Sequence, residues 1–148
     1  MKHASIMRNK KFVFDTNIWV TVLLNNETNF INTIVREHDI IIFYCEELLF
    51  EVSEVLQRPY FKSRNISIKN AINFIKSVGL FYKLSLPIKK YIPKDDRDDY
   101  LIALALQTNS GFVTSGDRHI LSQKENLEKK FTKLKIITKA EFEKRFSI

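Results

Sequence analysis

Short apolar runs alternate along this chain with segments of helical periodicity, and two of the runs lead into an aspartate. Lys11-Phe12-Val13-Phe14 stops at Asp15, and Gly111-Phe112-Val113-Thr114 leads through Ser115-Gly116 to Asp117. Residues 40–45 form a continuous β-branched and aromatic run, the pattern of a strand buried on both faces. Residues 80–84 and 135–138 are two further strand candidates. Between these runs the apolar positions recur at helical spacing. Ile18, Trp19, Val22 and Leu23 predict a helix with Thr16 or Asn17 as its N-cap, and Phe30, Ile31, Ile34 and Val35 predict a second, ending near His38. Residues 46–57 carry Leu48, Leu49, Val52, Val55 and Leu56 on one face and are stopped by Pro59. Ile68, Ala71, Ile72, Ile75 and Val78 make an amphipathic helix closed by Gly79, and residues 98–108 are apolar nearly all round. Thr138 and Glu141 have capping-box spacing and open a terminal helix through Phe142 and Phe146.

That alternation predicts an α/β layered fold with a mostly parallel sheet. With no repeat, linker or low-complexity tract, residues 1–148 are expected to form a single domain. Right-handed crossovers then put the functional loops at the carboxyl ends of the strands, so Asp15 and Asp117 fall on one edge. Asp98 would open the buried helix, with that helix's N-terminus aimed at the same edge. Glu51 abuts the apolar face of its helix one turn before Val55. Trp19 and Cys45 fall on apolar segments and are expected in the core.

Composition removes several chemistries. One cysteine, Cys45, allows neither an internal disulfide nor a cysteine-based zinc knuckle. Three glycines cannot build a Walker loop or a dinucleotide turn. No run of eighteen apolar residues occurs, and residues 1–11 lack the apolar stretch of a signal peptide, so a cytoplasmic protein with no membrane contact is expected.

The charge, +7 overall, is unevenly laid out. Residues 58–94 hold nine Lys or Arg and no acid, and the next five residues are Asp95-Asp96-Arg97-Asp98-Asp99. A second basic stretch, residues 124–145, sets eight Lys or Arg against four Glu. Carboxylates in a helix's first turn also favour the macrodipole, which accounts for part of the acidic run without any function. Three or four carboxylates in one crevice, however, repel unless a cation neutralises them. Hard oxygen donors without His or Cys favour Mg²⁺ or Mn²⁺, and such a site suits phosphodiester hydrolysis by metal-assisted in-line attack. A basic surround would attract the phosphates that an acidic pocket repels. Arg58 and Arg118 are the candidate phosphate contacts.

Four motifs, in order, carry a family resemblance: Phe14-Asp15-Thr16-Asn17-Ile18; Glu46-Glu47-Leu48-Leu49-Phe50-Glu51-Val52 running on to Pro59; the acidic run before Tyr100-Leu101-Ile102-Ala103; and Val113-Thr114-Ser115-Gly116-Asp117. The chain resembles the PIN-domain ribonucleases, in particular the toxin branch related to VapC. The resemblance implies a three-layer α/β/α fold with a parallel sheet and an acidic Mg²⁺ or Mn²⁺ site that cleaves RNA. It implies Asp15, Glu51, Asp98 and Asp117 as catalytic and metal-holding acids, with Asn17 supporting the first carboxylate and Ser115 lining the site. Asp99 competes with Asp98 for the third place, and Asp95 is an outer acid. In the toxin branch a cognate antitoxin binds the enzyme, and a homodimer is a further expected assembly.

Other functions fit less of the sequence. A non-catalytic RNA-binding or protein-interaction module would have no need for an acid cluster that costs stability. A haloacid-dehalogenase-type phosphatase needs a second Asp two residues after the first, where Asn17 stands. A phospho-receiver needs an adjacent acid pair after its first strand, where Asp15 is alone.

Overall fold

The computed structural model describes residues 8–93 and 96–146. Five strands form one all-parallel sheet: β1 (Lys11–Phe14), β2 (Ile41–Tyr44), β3 (Leu80–Phe81), β4 (Phe112–Thr114) and β5 (Lys135–Ile137). The helices are α1 (Thr16–Leu24), α2 (Thr28–His38), α3 (Glu46–Leu56), α4 (Pro59–Lys62), α5 (Ile68–Val78), α6 (Asp99–Gln107), α7 (Arg118–Ser122), α8 (Lys124–Lys130) and α9 (Lys139–Phe146). Short 3-10 turns at Arg8–Lys10 and Asp96–Asp98 precede β1 and α6.

The strand order is β3-β2-β1-β4-β5. The chain therefore winds outward from β1 in one direction, then returns to β1's other side and winds the opposite way. Right-handed crossovers in opposite directions put their helices on opposite faces, which gives the three-layer α/β/α arrangement. The central strands are apolar on both faces because both are covered. Phe12 and Phe14 point to one face, where the Phe142 ring of α9 meets both edge-on at 5.2 and 5.0 Å, and Trp19 of α1 packs on Phe14. Helix α6 lies across β1, β2 and β4, and its residues from Asp99 to Ala105 are all buried. Trp19 and Cys45 are both fully buried, as their apolar settings predict.

Several local details differ from the sequence expectation. Helix α1 is capped by Asp15, whose side chain accepts from the Ile18 N–H, so Thr16 and Asn17 lie inside the helix. Pro59 does more than stop α3: it occupies the first turn of α4, where its missing N–H is not needed. Gly79 closes α5 without entering the left-handed region (φ −96°). A Cβ there would lie 2.8 Å from Tyr44 Cδ1 and 2.9 Å from the carbonyl oxygens of Ile42 and Ile75, so close packing on β2 explains the glycine. The strand expected over residues 80–84 is confined to Leu80–Phe81. Helices α7 and α8 fall where no element was expected. The capping box forms as read: the Thr138 N–H donates to Glu141 Oε1, and the Glu141 N–H donates to Thr138 Oγ1.

Candidate active site

The winding direction reverses between β1 and β4, and there a doubly wound sheet opens a crevice at its carboxyl edge. The register Phe14↔Thr114 makes the next residues neighbours, so Asp15 and Ser115 leave the sheet side by side. β1 runs straight into α1 and β4 leads through Ser115-Gly116 into α7, and Asp15 and Asp117 are the N-caps of those helices. Asp15 Oδ1 accepts from the Ile18 N–H at 2.8 Å, and Asp117 Oδ1 accepts from the His119 and Ile120 N–H groups at 2.7 and 3.3 Å. Capping fixes one oxygen of each carboxylate and so aims the whole group. Ser115 joins the two acids. Its buried hydroxyl donates to Asp15 Oδ2 and accepts from the Asp117 N–H at 3.0 Å.

Glu51 arrives from the other side, half-buried on α3. Its Oε1 accepts from the Tyr100 hydroxyl at 2.6 Å and from Thr16 Oγ1. Burial, and then the Glu51 carboxylate, push the Tyr100 phenol well above its ordinary range, so it stays a neutral donor. Neither Thr16 nor Tyr100 was expected at the site. Their partnership with Glu51 spans 35 and 49 residues of sequence, beyond the reach of any local pattern.

A cavity of about 130 Å³ gathers Asp15, Glu51, Asp98 and Asp117 with Thr16, Asn17, Val55, Arg58 and Arg97. The four expected acids, contributed by four separate segments, thus line one pocket. Asp99 does not. It is buried on α6, and its Oδ1 accepts the N–H groups of Tyr91 and Ile92 at 2.9 and 2.8 Å, tying down the loop before the helix. Asn17 lines the pocket but is exposed, and the hydrogen bonds to Asp15 come from Ile18 and Ser115 instead. Arg58 is at the pocket, whereas Arg118 is exposed outside its lining; Arg97, set between acids in the sequence, is there in its place. Asp95 lies outside the described residues.

Asp15 carries the clearest electrostatic signature. Burial raises its pKa to about 6; the bonds from Ser115 and Ile18 oppose that, and the Asp117 and Glu51 charges add to it. A buried acid with acidic neighbours is a group that a bound cation would relieve. The donor set is all oxygen, which suits Mg²⁺ or Mn²⁺. Among the described residues no three such side chains are gathered closely enough to hold an ion by direct contact as they stand. Mg²⁺ commonly keeps several waters and takes only one or two carboxylates plus substrate phosphates, so an open acidic pocket fits that binding mode. Among the described residues, no helix is long and apolar enough to cross a membrane.

The sheet order, and an acid-lined crevice at its switch point, define the class: an α/β protein built to present carboxylates at one edge. A family model described as PIN domain matches residues 11–119, and the chain belongs to the PIN domain family. PIN domains are generally nucleases and typically bind divalent metals. Comparison with curated proteins gave no match.

Proposed function

We propose that this protein is a Mg²⁺- or Mn²⁺-dependent endoribonuclease that hydrolyses RNA phosphodiester bonds and serves as the toxin of a toxin–antitoxin pair. The observation that carries the reading is the pocket at the β1–β4 switch point, where Asp15, Glu51, Asp98 and Asp117 meet. These four would surround the cation, some in direct contact and the rest through its waters. When bound, it supplies charge neutralisation for the acids and stabilisation of the attacking and leaving oxygens. Ser115 and the Ile18 N–H fix Asp15, while Thr16 and Tyr100 fix Glu51, so both carboxylates are oriented before substrate arrives. Arg58 and Arg97 stand at a pocket that would otherwise repel a phosphate. The antitoxin, a homodimer and cytoplasmic action belong to the same proposal, the antitoxin resting on the likeness of the motifs to the toxin branch. One sheet and one continuous core among the described residues support a single acting domain.

The test is cleavage of a mixed RNA pool by wild type and Asp15→Asn, with Mg²⁺, with Mn²⁺ and with EDTA. Cleavage that requires both the cation and Asp15 is the expected result. Undiminished cleavage by Asp15→Asn, or in EDTA, overturns the mechanism. Binding of RNA without cleavage in any cation would instead favour a non-catalytic binding module.

A further inference from the structure

A second cavity, of about 530 Å³, opens at the far end of α1. Helix α1 joins the two cavities end to end: Thr16 and Asn17 line the acidic pocket, and Leu23 and Leu24 line the second. At 1.5 Å per residue the separation along α1 is about 12 Å. The segment after α3 also reaches both, with Arg58 at the first cavity and Arg64 at the second. Leu23 and Leu24 line the second cavity together with three asparagines, Asn26, Asn65 and Asn70. No acid lines it among the described residues.

Arg64 is held flat. Its guanidinium carbon lies 3.7 Å from the centroid of the Tyr60 ring, and Nη1 donates to the Tyr60 carbonyl at 3.3 Å. Tyr60 is 52 % exposed, and the Phe61 ring meets it edge-on at 4.9 Å. A guanidinium plane laid on an aromatic ring is a surface on which an unstacked base can lie. Amides carry both donors and acceptors, the groups that read a base edge. The backbones of Asn26 and Asn65 are left-handed (φ 56° and 55°), a conformation asparagine tolerates better than most residues, which accounts for asparagine at these two turns.

We propose that this cavity is a nucleotide subsite for single-stranded RNA, in which Arg64, backed by Tyr60, stacks one base and the amides of Asn26, Asn65 and Asn70 select it. The proposal rests on the ribonuclease reading and adds to it a place, away from the cut, where one unpaired base is held. A span of about 12 Å covers roughly three to four stacked nucleotides at 3.4 Å each, so the selected base lies that far from the cut. A duplex cannot offer it, because its bases are paired and stacked.

The experiment measures binding of a fluorescein-labelled, single-stranded RNA octamer of mixed sequence to the full chain in EDTA, where nothing is cut. Cleavage in Mg²⁺ is measured separately. Arg64→Ala should weaken octamer binding about tenfold, the scale of losing one stacked base, and should raise KM while leaving kcat unchanged. Arg64→Lys separates stacking from simple charge: it should bind as poorly as Arg64→Ala. Asn70→Ala should flatten the base preference at one position three to four nucleotides from the cut. Full affinity in Arg64→Ala at an unchanged Tm, rescue by Arg64→Lys, or equal binding of a blunt duplex overturns the subsite. Arg64-dependent binding with no cleavage in wild type would sink the nuclease reading and keep the subsite. Asp15-dependent cleavage that ignores Arg64 would do the reverse.

Discussion

At the scale of single residues, Asp15 is placed where an acid is costly. It is 4 % exposed and its pKa is raised to about 6, so in the absence of a cation the folded chain binds a proton more tightly than the unfolded chain does. The sign follows from linkage. Between the ordinary carboxylate value and about 6 the native state holds more protons, so stability falls as pH rises through that window. Above it, the charged form costs stability on the order of 3 kcal/mol at most. Asp15→Asn keeps the cap to Ile18 and removes that charge. In EDTA it should raise Tm at pH 7.5, with the gain shrinking toward pH 4; a loss of Tm at pH 7.5 would contradict the electrostatic account. Tyr100→Phe tests the opposite carboxylate. Removing the hydroxyl that holds Glu51 Oε1 should weaken Mn²⁺ binding, read by calorimetry, by about tenfold, the usual effect of losing a group behind a metal ligand. Unchanged Mn²⁺ affinity would show that Glu51 needs no such support. Asp15 and Asp117 were legible as neighbours because a strand end is a position that sequence reveals, whereas Glu51 and Asp98 joined them through the family resemblance. Their supporters were not legible. Thr16 read only as a cap, Tyr100 had no assigned role, and Asp99 remained a competitor of the favoured Asp98. One residue along a helix turns the side chain by 100°, and that turn sends Asp99 into the Tyr91–Ile92 backbone instead of the pocket.

Elements show the same division between local and distant causes. The capping box at Thr138 was readable because all its parts lie within four residues, and Thr138→Ala should cost about 1 kcal/mol in urea unfolding. Helices α7 and α8 were missed because residues 118–130 offer too few apolar positions to set a period. They are instead held by the Asp117 cap and by Lys124, whose ammonium pairs with Glu128 at 2.6 Å and donates to the Ile136 carbonyl at 2.8 Å. The glycines make a sharper comparison. Gly79 reads in the sequence as a helix stop, and what it also supplies is room for β2 to approach. Gly79→Ala puts a methyl group against two carbonyl oxygens that belong to a strand and a helix, and should cost about 1–3 kcal/mol. Gly116, in the loop that carries Asp117, has no positive φ, and a methyl group added there would meet nothing within 4 Å. Gly116→Ala should therefore change stability by no more than about 0.5 kcal/mol. Equal effects of the two substitutions would refute the packing explanation.

For the molecule as a whole, cations in the two basic stretches are placed differently although the sequences look alike. In the second, three lysines are engaged with carboxylates of the fold: Lys124 and Lys135 face Glu128, and Lys139 lies 2.9 Å from Glu27 and 3.1 Å from Glu143. In the first, Arg58, Lys62, Arg64, Lys69, Lys76, Lys83, Lys89 and Lys90 are all exposed, and none takes part in the ion pairs given above. Cations already matched to carboxylates release few counterions when a phosphate arrives, whereas unmatched ones release many. The salt dependence of RNA binding should therefore come from exposed cations such as those of the first stretch, and not from Lys124, Lys135 and Lys139. Each phosphate neutralised on a single strand contributes a slope of about −0.7 in log K against log salt. Four such contacts would weaken binding roughly 50-fold between 50 and 200 mM salt. Replacing Lys62 and Lys69 together with Gln should reduce the slope by about 1.4, if both meet phosphates. Replacing Lys124 and Lys135 should leave the slope unchanged and lower Tm, because their charges hold α8 to β5. A flat salt response, or a slope that follows the second pair instead of the first, would make residues 58–90 ordinary solvated surface and move the RNA path to the other side of the sheet.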